Sequence, residues 1–260
     1  EKSSFRVPWW YRTEFQLPAD YNNKSVQMHF RGINYRANIW LNGKLLADST
    51  EVAGCFRVYE FDITDYAKFS GNNYLAVEVF APRKDDLAIT WVEWNPAPPD
   101  KNMGIWHEVL LTASDPVKVR YPQVVTEFDL PSLEVAHLNV SAEVQNYSDK
   151  PVRGTLKGTI ENIEFTKKVS LGANEVKVVT FTPDEYRQLN IKNPRIWWPV
   201  HYGNPDLYTL KMEFESGGKI SDSQSINFGI RQVTSELTGN NYLLFKINGK
   251  NILIRGGGRA

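Results

Sequence analysis

The sequence predicts an all-β protein built from two antiparallel sandwiches in series. Apolar and polar residues alternate over short segments along much of the chain. Turn-forming residues separate these segments about every ten positions, which is typical of sandwiches. No segment before position 115 carries a sustained helical period. At 260 residues the chain is long enough for two domains, each with its own core.

The strands of the first half are predicted from their period-two alternation. The residues expected to face inward are Val26, Met28 and Phe30, then Ala37, Ile39 and Leu41, then Leu75, Val77 and Val79. Asn42-Gly43 predicts a tight hairpin turn, because a two-residue turn needs positive φ at both central positions. We expect the first sandwich to end with a strand from Trp106 to Thr112.

A second set of strands begins after the boundary that Asp115-Pro116 suggests. These strands are predicted at Val117 to Val125, Leu138 to Val144, Val152 to Ile160, Glu175 to Phe181 and Tyr208 to Phe214. Six or seven short strands with regular turns favour a smaller immunoglobulin-like sandwich. The sequence from Thr182 to Glu185 is typical of a capping box and predicts one short helical turn before Leu189.

The pattern changes again after Ile230. Tyr242 to Lys246 and Asn251 to Arg255 are predicted to form a hairpin around the turn Asn248-Gly249. The second strand is apolar on both faces from Ile252 to Ile254, as in a strand that is buried from two sides. Three glycines follow it, so we expect that the chain is truncated and that the covering partner lies elsewhere.

Charge and cysteine content exclude several classes of partner. Thirty basic and thirty acidic side chains cancel, without a basic run, so neither nucleic acid nor a membrane surface is expected as a partner. No apolar stretch approaches the roughly 20 residues that span a bilayer. Cys55 is the only cysteine, which excludes an intramolecular disulfide and predicts a small buried residue. The four histidines lack paired spacing, so neither a metal nor another cofactor is expected.

The segment between Trp91 and Leu111 is the main candidate for a binding site. Its prolines at 96, 98 and 99 predict a stiff surface loop. Trp91, Glu93, Trp94 and Asn95 have the composition of a sugar subsite: aromatic faces bury the C–H surface of a pyranose, and the carboxylate and amide bond its hydroxyls. The alternative is that both tryptophans anchor the core and Glu93 forms a structural salt bridge.

Another aromatic motif, Trp197-Trp198-Pro199, has two interpretations. It either plugs an edge of the second sandwich or offers a platform to a ligand. We favour the plug, since tryptophan is usually largely buried.

Several motifs, in order, resemble the amino-terminal portion of glycoside hydrolase family 2, particularly its exo-β-D-glucosaminidase and β-mannosidase branches. The resemblance covers essentially the whole chain. The motifs are Pro8 to Phe15, Phe30 to Leu46, Phe61 to Val79, Gly104-Ile105-Trp106, Asn193 to Pro199, Leu207-Tyr208, Phe228 to Arg231 and Ile254 to Gly257.

The resemblance implies three domains. Residues 1–116 would form a jelly-roll-like sugar-binding sandwich, residues 117–230 an immunoglobulin-like β-sandwich, and residues 231–260 the lead-in hairpin of a (β/α)8 barrel. Hydrolysis in this family retains configuration and uses two carboxyl groups. Both lie on the barrel, so we expect no catalytic residue in this chain and no activity of the fragment by itself.

The resemblance also implies roles for individual residues. Relatives carry an aspartate between the two tryptophans, positioned to bond hydroxyls of the non-reducing sugar, and Glu93 takes that place here. His107 replaces the arginine usual after Gly-Ile-Trp, and Arg259 stands where an aromatic residue is usual. The Trp91–Asn95 segment would thus form a wall of the substrate pocket.

Two functions from different classes remain open at this point. The first is the non-catalytic portion of a retaining exo-β-glycosidase that acts on a β-D-glucosaminide or β-D-mannoside, with the missing barrel of the same polypeptide as its partner. The second is a stand-alone carbohydrate-binding or adhesion module. The apolar hairpin after Ile230 favours the first, because a free-standing binder has no use for it. The compartment is open, with periplasm or cell exterior favoured.

Overall fold

A computed structural model describes residues 4–88, 96 and 98–255. The chain divides into two compact units, unit 1 up to Ser114 and unit 2 from Asp115 onwards. In the described part, strands and turns dominate, and the helices are three-residue 3₁₀ turns at Ser4–Arg6, Ala19–Tyr21 and Arg187–Leu189. The all-β prediction is confirmed. None of these short turns could cross a bilayer.

Unit 1 contains nine strands among its described residues. In chain order they are β1 Trp9–Phe15, β2 Ser25–Phe30, β3 Ile33–Asn34, β4 Arg36–Leu41, β5 Lys44–Ala47, β6 Tyr59–Asp62, β7 Asn73–Phe80, β8 Gly104–Ile105 and β9 Val109–Ser114. They form one sheet in the order β1-β7-β4-β5, a second in the order β6-β2-β9, and a short β3-β8 pair. All neighbouring strands run antiparallel.

The core of unit 1 is made by the residues that alternation predicts to face inward. All nine are buried: Val26, Met28, Phe30, Ala37, Ile39, Leu41, Leu75, Val77 and Val79. Asn42 and Gly43 adopt φ of 52° and 81° and connect β4 to β5, as the hairpin prediction requires. Together these residues fix the register of the larger sheet, since a slip by one position would expose the whole apolar face.

The last strand of unit 1 differs from its prediction. Strand β9 begins at Val109, and Trp106, which is 45% exposed, lies outside it. The expected single strand from Trp106 to Thr112 is therefore wrong at its start. The chain pairs first with β3 through Gly104 and Ile105, and then crosses to β2.

Unit 2 contains eleven strands among its described residues. They are β10 Val117–Phe128, β11 Val135–Asn146, β12 Val152–Ile160, β13 Ile163–Leu171, β14 Val176–Phe181, β15 Asn190–Lys192, β16 Tyr208–Ser216, β17 Lys219–Phe228, β18 Val233–Leu237, β19 Leu243–Ile247 and β20 Lys250–Ile252. One sheet has the order β10-β11-β14, with β15 also paired to β11. The other sheets have the orders β13-β12-β16-β17 and β18-β19-β20.

The two larger sheets of unit 2 share one hydrophobic core. Alternate residues of β11 and β16 are fully buried in it, including Leu138, Val140, Val144, Leu210 and Phe214. The predicted helical turn is present: the N–H of Tyr186 donates to Thr182 O at 2.9 Å. The reciprocal bond of a capping box is replaced, because the Glu185 carboxylate binds Lys167 Nζ at 2.8 Å instead.

The hairpin after Ile230 is present with its predicted turn. Asn248 and Gly249 have φ of 51° and 77° between β19 and β20. Strand β20 ends at Ile252, and the next two residues, Leu253 and Ile254, are 70% and 58% exposed. Within the described part of this chain, the second strand of the hairpin is therefore not buried from two sides.

Candidate functional site

The four residues predicted to form a sugar subsite, Trp91, Glu93, Trp94 and Asn95, lie outside the described residues. The structure does describe much of the chain immediately before and after them. A binding loop is precise only when rigid elements support it. The contacts of these two flanks therefore define the site's foundation.

The corner between β3 and β4 holds both flanks. Asn34 Nδ2 donates to the carbonyl oxygen of Asn102 at 2.8 Å. Arg36 Nη2 lies 2.6 Å from Asp86 Oδ1, and Asp86 Oδ2 accepts the N–H of Arg83 at 2.8 Å. The Asp86 side chain is only 2% exposed. A buried carboxylate bonded to a guanidinium and an amide holds the flank before the loop in one position.

Cys55 also contacts both flanks. Its Sγ donates to Leu87 O at 3.1 Å, and its carbonyl oxygen accepts Trp106 Nε1 at 2.9 Å. The thiol is buried, which confirms the prediction of a small buried residue. We call these six anchoring residues the loop base. They are Asn34, Arg36, Cys55, Asp86, Asn102 and Trp106.

Exposed rings surround one side of the loop base. Phe56 is 76% exposed and meets Trp106 edge to face, with 5.8 Å between ring centroids. The His107 ring lies 5.4 Å from Trp106 on another side. Gly32 lies against the indole, and a Cβ there would come within 2.6 Å of it. This surface offers apolar rings and an imidazole, a chemistry suited to binding a sugar.

The partly buried carboxyl of Asp222 lies in unit 2 and has a structural role. Burial raises the pKa of Asp222 above the ordinary aspartate range. Its Oδ2 accepts the N–H of Val119 at 2.9 Å, which joins β17 to β10. The described residues contain no group of three or more His, Cys, Asp or Glu side chains arranged to hold a metal ion.

The Trp197-Trp198 motif packs as a plug. The Arg231 guanidinium lies 4.2 Å from the Trp197 ring centroid, and Lys250 Nζ lies 4.8 Å from that of Trp198. A Cβ at Gly229 would come within 2.6 Å of the Trp197 side chain. Both tryptophans are partly buried, so the structural interpretation is favoured over a ligand platform.

Two family models match the chain, one in each unit. The model described as "Glycosyl hydrolases family 2" matches residues 117–231, and the one described as "Glycosyl hydrolase 2 galactose-binding domain-like" matches residues 3–89. The chain belongs to glycosyl hydrolase family 2. The resemblance drawn from the sequence motifs is thereby confirmed.

Curated relatives align with nearly the whole chain. An exo-β-D-glucosaminidase of Streptomyces avermitilis is 36% identical over 258 residues, which are 99% of this chain and 28% of that protein. An exo-β-D-glucosaminidase of Amycolatopsis orientalis is 35% identical over 98% of this chain and 24% of its own length. A mannosylglycoprotein endo-β-mannosidase of Lilium longiflorum is 32% identical over 96% of this chain and 28% of its own length. The chain thus spans about a quarter of these relatives.

Solved structures share the fold of this chain. The Amycolatopsis orientalis exo-chitosanase, in complex with PNP-β-D-glucosamine, superposes with a TM-score of 0.89 at 34% identity, over 98% of this chain and 29% of that one. A Bacteroides uniformis β-glucuronidase has a TM-score of 0.75 at 23% identity, over 94% of this chain and 28% of that one. The second likeness is one of fold alone.

The loop base could not be predicted from the sequence. Arg36 and Asp86 are 50 positions apart, and Cys55 and Trp106 are 51 apart. Alternation and turn signals report only local structure, so they carry no information about such pairs. The Gly-Ile-Trp motif did draw attention to Trp106, although its contact with Cys55 could not be inferred from it.

Proposed function

We propose that this chain shapes the substrate pocket of a retaining exo-acting β-glycosidase whose substrate is a β-D-glucosaminide. The observation that carries the proposal is the 36% and 35% identity to two exo-β-D-glucosaminidases across nearly the whole chain. The lily endo-β-mannosidase, at 32% identity, makes a β-D-mannoside the second candidate.

The domain division forms part of the proposal. Residues 1–116 would be the jelly-roll sugar-binding domain, 117–230 the immunoglobulin-like domain and 231–260 the start of the barrel. The division between the compact units after Ser114 and the family match over 117–231 support the two boundaries.

Trp91, Glu93, Trp94 and Asn95 are the proposed substrate-binding residues. The indoles would stack on the sugar, while the Glu93 carboxylate and Asn95 amide would bond its hydroxyls. Support comes from the loop base, which anchors both flanks of this segment through partly buried hydrogen bonds. A rigid foundation of this kind is what a precise binding loop requires.

The catalytic carboxyl groups are proposed to lie on a barrel elsewhere in the same polypeptide, so this chain alone would be inactive. An exposed apolar surface in unit 2 supports a covering partner. Val200, Leu253 and Ile254 are 74%, 70% and 58% exposed and line one cleft together with Tyr202. Contiguous apolar surfaces of this kind mark interaction sites.

Turnover of p-nitrophenyl β-D-glucosaminide and β-D-mannoside tests the proposal. The full-length gene product and this chain are assayed in parallel. We expect the full-length protein to hydrolyse the glucosaminide with retention of configuration and the chain to hydrolyse neither. Activity of the chain by itself, or an inactive full-length protein that only binds glycans, would contradict the proposal.

Substitution at Glu93 in the full-length protein tests the loop residues. Loss of a hydrogen bond to a charged group costs about 1.5–3 kcal/mol, so Glu93→Ala is expected to lower kcat/KM by about 10- to 100-fold. Glu93→Asp, which restores the residue usual in relatives, is expected to keep most of the activity. Asp65→Ala, at an exposed carboxylate in unit 1, is the matched control and is expected to have no effect.

A further inference from the structure

The outward face of the β1-β7-β4-β5 sheet carries an open groove of about 950 Å³. Cross-strand register places Arg12 opposite Ala76, and Ala76 opposite Trp40. Their neighbours Leu75, Val77 and Ile39 point into the core, so these three residues point outward. We call this surface the Ala76 groove. Its outward side chains are Trp10, Arg12, Glu14, Trp40, Tyr74 and Ala76.

Aromatic rings line the groove around a small central residue. Trp10 and Trp40 stack with 5.0 Å between centroids and 24° between planes. Trp10 is 53% exposed and Tyr74 is 52% exposed. Ala76 leaves the floor open between them. Flat exposed rings beside a shallow floor can stack on the C–H face of a pyranose and bury apolar surface that otherwise faces water.

The polar groups of the groove are available to a ligand and cancel in charge. In the described part of the chain, Arg12 forms no ion pair, and the Glu14 carboxylate accepts a long bond of 3.3 Å from Asn72 Nδ2. One guanidinium and one carboxylate leave the lining without net charge. Arg12 would repel a polycation and Glu14 would repel a polyanion. Charge complementarity therefore favours a neutral ligand rich in hydroxyl groups.

We propose that the Ala76 groove binds a neutral stretch of β-linked N-acetylglucosamine polymer. The sugar type rests on the proposed function: a β-glucosaminide polymer is cationic where its amines are free and neutral where they are acetylated. Equatorial linkages present flat C–H faces that stack on Trp10 and Tyr74, and the hydroxyls bond Arg12 and Glu14. The groove lies at the opposite end of β4 from Arg36, which belongs to the loop base.

Titration of this chain with the N-acetylglucosamine hexamer tests the proposal, by calorimetry and by tryptophan fluorescence. Trp10→Ala removes a stacking ring, and Ala76→Ile fills the floor with a residue that strands accept. Each is expected to weaken binding at least tenfold, which corresponds to about 1.4 kcal/mol. Tyr242→Ala, at a 71% exposed ring in unit 2, is the matched control and is expected to leave binding unchanged. Circular dichroism confirms the fold of each variant.

The charge argument is tested with the hexamer of glucosamine and the trimer of galacturonic acid. Both are expected to bind at least tenfold more weakly than the neutral hexamer. Equal binding of a charged ligand, no binding of the neutral hexamer at millimolar concentration, or binding unchanged in both groove variants would overturn the proposal. The proposal would also be overturned if sedimentation showed a dimer of this chain that the Ala76→Ile substitution abolishes. The groove would then be a self-association surface.

The full-length protein separates this proposal from the proposed function. Full-length Ala76→Ile is expected to hydrolyse p-nitrophenyl β-D-glucosaminide with unchanged kcat/KM, since the groove lies at the end of β4 away from the loop base. If the full-length protein lacks that activity while the chain still binds the hexamer at the groove, the proposed function fails and the groove assignment stands.

Discussion

At the residue scale, Gly158 occupies a position in β12 that has no room for a side chain. A Cβ there would collide with the ring of Phe165, which is buried and packs 4.8 Å from the ring of Phe181. We predict that Gly158→Ala lowers the free energy of unfolding by about 1–3 kcal/mol through overpacking. Urea unfolding followed by circular dichroism measures this.

Gly239→Ala is the control for that substitution. No atom lies within 4 Å of the Cβ that it adds. Its effect is expected to stay within about 0.5 kcal/mol. If the two substitutions lowered the free energy of unfolding equally, the contact with Phe165 would not be the reason that position 158 requires glycine.

Asp222 makes the stability of unit 2 depend on pH. Burial raises the pKa of Asp222. The folded state therefore holds this proton more tightly than the unfolded state does, and the free energy of unfolding falls as the pH rises from the ordinary aspartate pKa through the raised one.

Asp222→Asn removes this titration while keeping an acceptor for Val119 N–H. We predict that the variant gains stability relative to the wild type across that window. Urea unfolding at a series of pH values measures this, and identical slopes in both proteins would contradict it.

At the element scale, the loop base depends on the Arg36–Asp86 pair more than on nearby surface pairs. Asp86→Ala would leave the Arg36 guanidinium, whose side chain is 28% exposed, without its partner. We predict a loss of about 2 kcal/mol in the free energy of unfolding of unit 1, since breaking a largely buried pair is costly. Thermal and urea unfolding of the chain measure it.

The neighbouring Arg31–Glu108 pair provides the control for Asp86→Ala. Both of its side chains are about half exposed, at 48% and 47%. Glu108→Ala is therefore expected to cost less than about 1 kcal/mol. A larger loss from Glu108→Ala than from Asp86→Ala would contradict the importance of the loop base.

Some elements could be predicted from the sequence and others could not. Inward and outward positions alternate without a break along strands β4, β7 and β11, and the apolar residues predicted to face inward were identified correctly. Strands β13, β17 and β18 were missed. Every residue of β18 is exposed, and β17 carries polar residues along most of its length. Such strands form because a neighbour offers backbone hydrogen bonds, which leaves little apolar pattern in the sequence.

At the scale of the whole molecule, the exposed apolar surface of unit 2 has a measurable consequence. We predict that the chain by itself self-associates at high concentration, and that Leu253→Lys with Ile254→Lys reduces this because the charges disrupt the apolar cleft. In the full-length protein the same pair is expected to lower activity at least tenfold. Light scattering and turnover measure the two effects.

A single exposed valine elsewhere in unit 2 serves as control for the double variant. Val178 is 64% exposed on β14, away from this cleft. Val178→Lys is expected to change neither self-association nor activity. A full-length Leu253→Lys, Ile254→Lys protein with normal activity would remove the support that this surface gives to a covering barrel.

By itself the sequence determined the fold class, the inward faces of the main strands, the hairpin turns at Asn42-Gly43 and Asn248-Gly249, and the family. These features are set by local alternation, by positive φ and by ordered motifs, all of which are written along the chain. Tertiary structure alone decided the loop base, the contacts around Trp197 and the Ala76 groove. Each of these joins residues that are distant in sequence, and only the packing of strands brings them into contact.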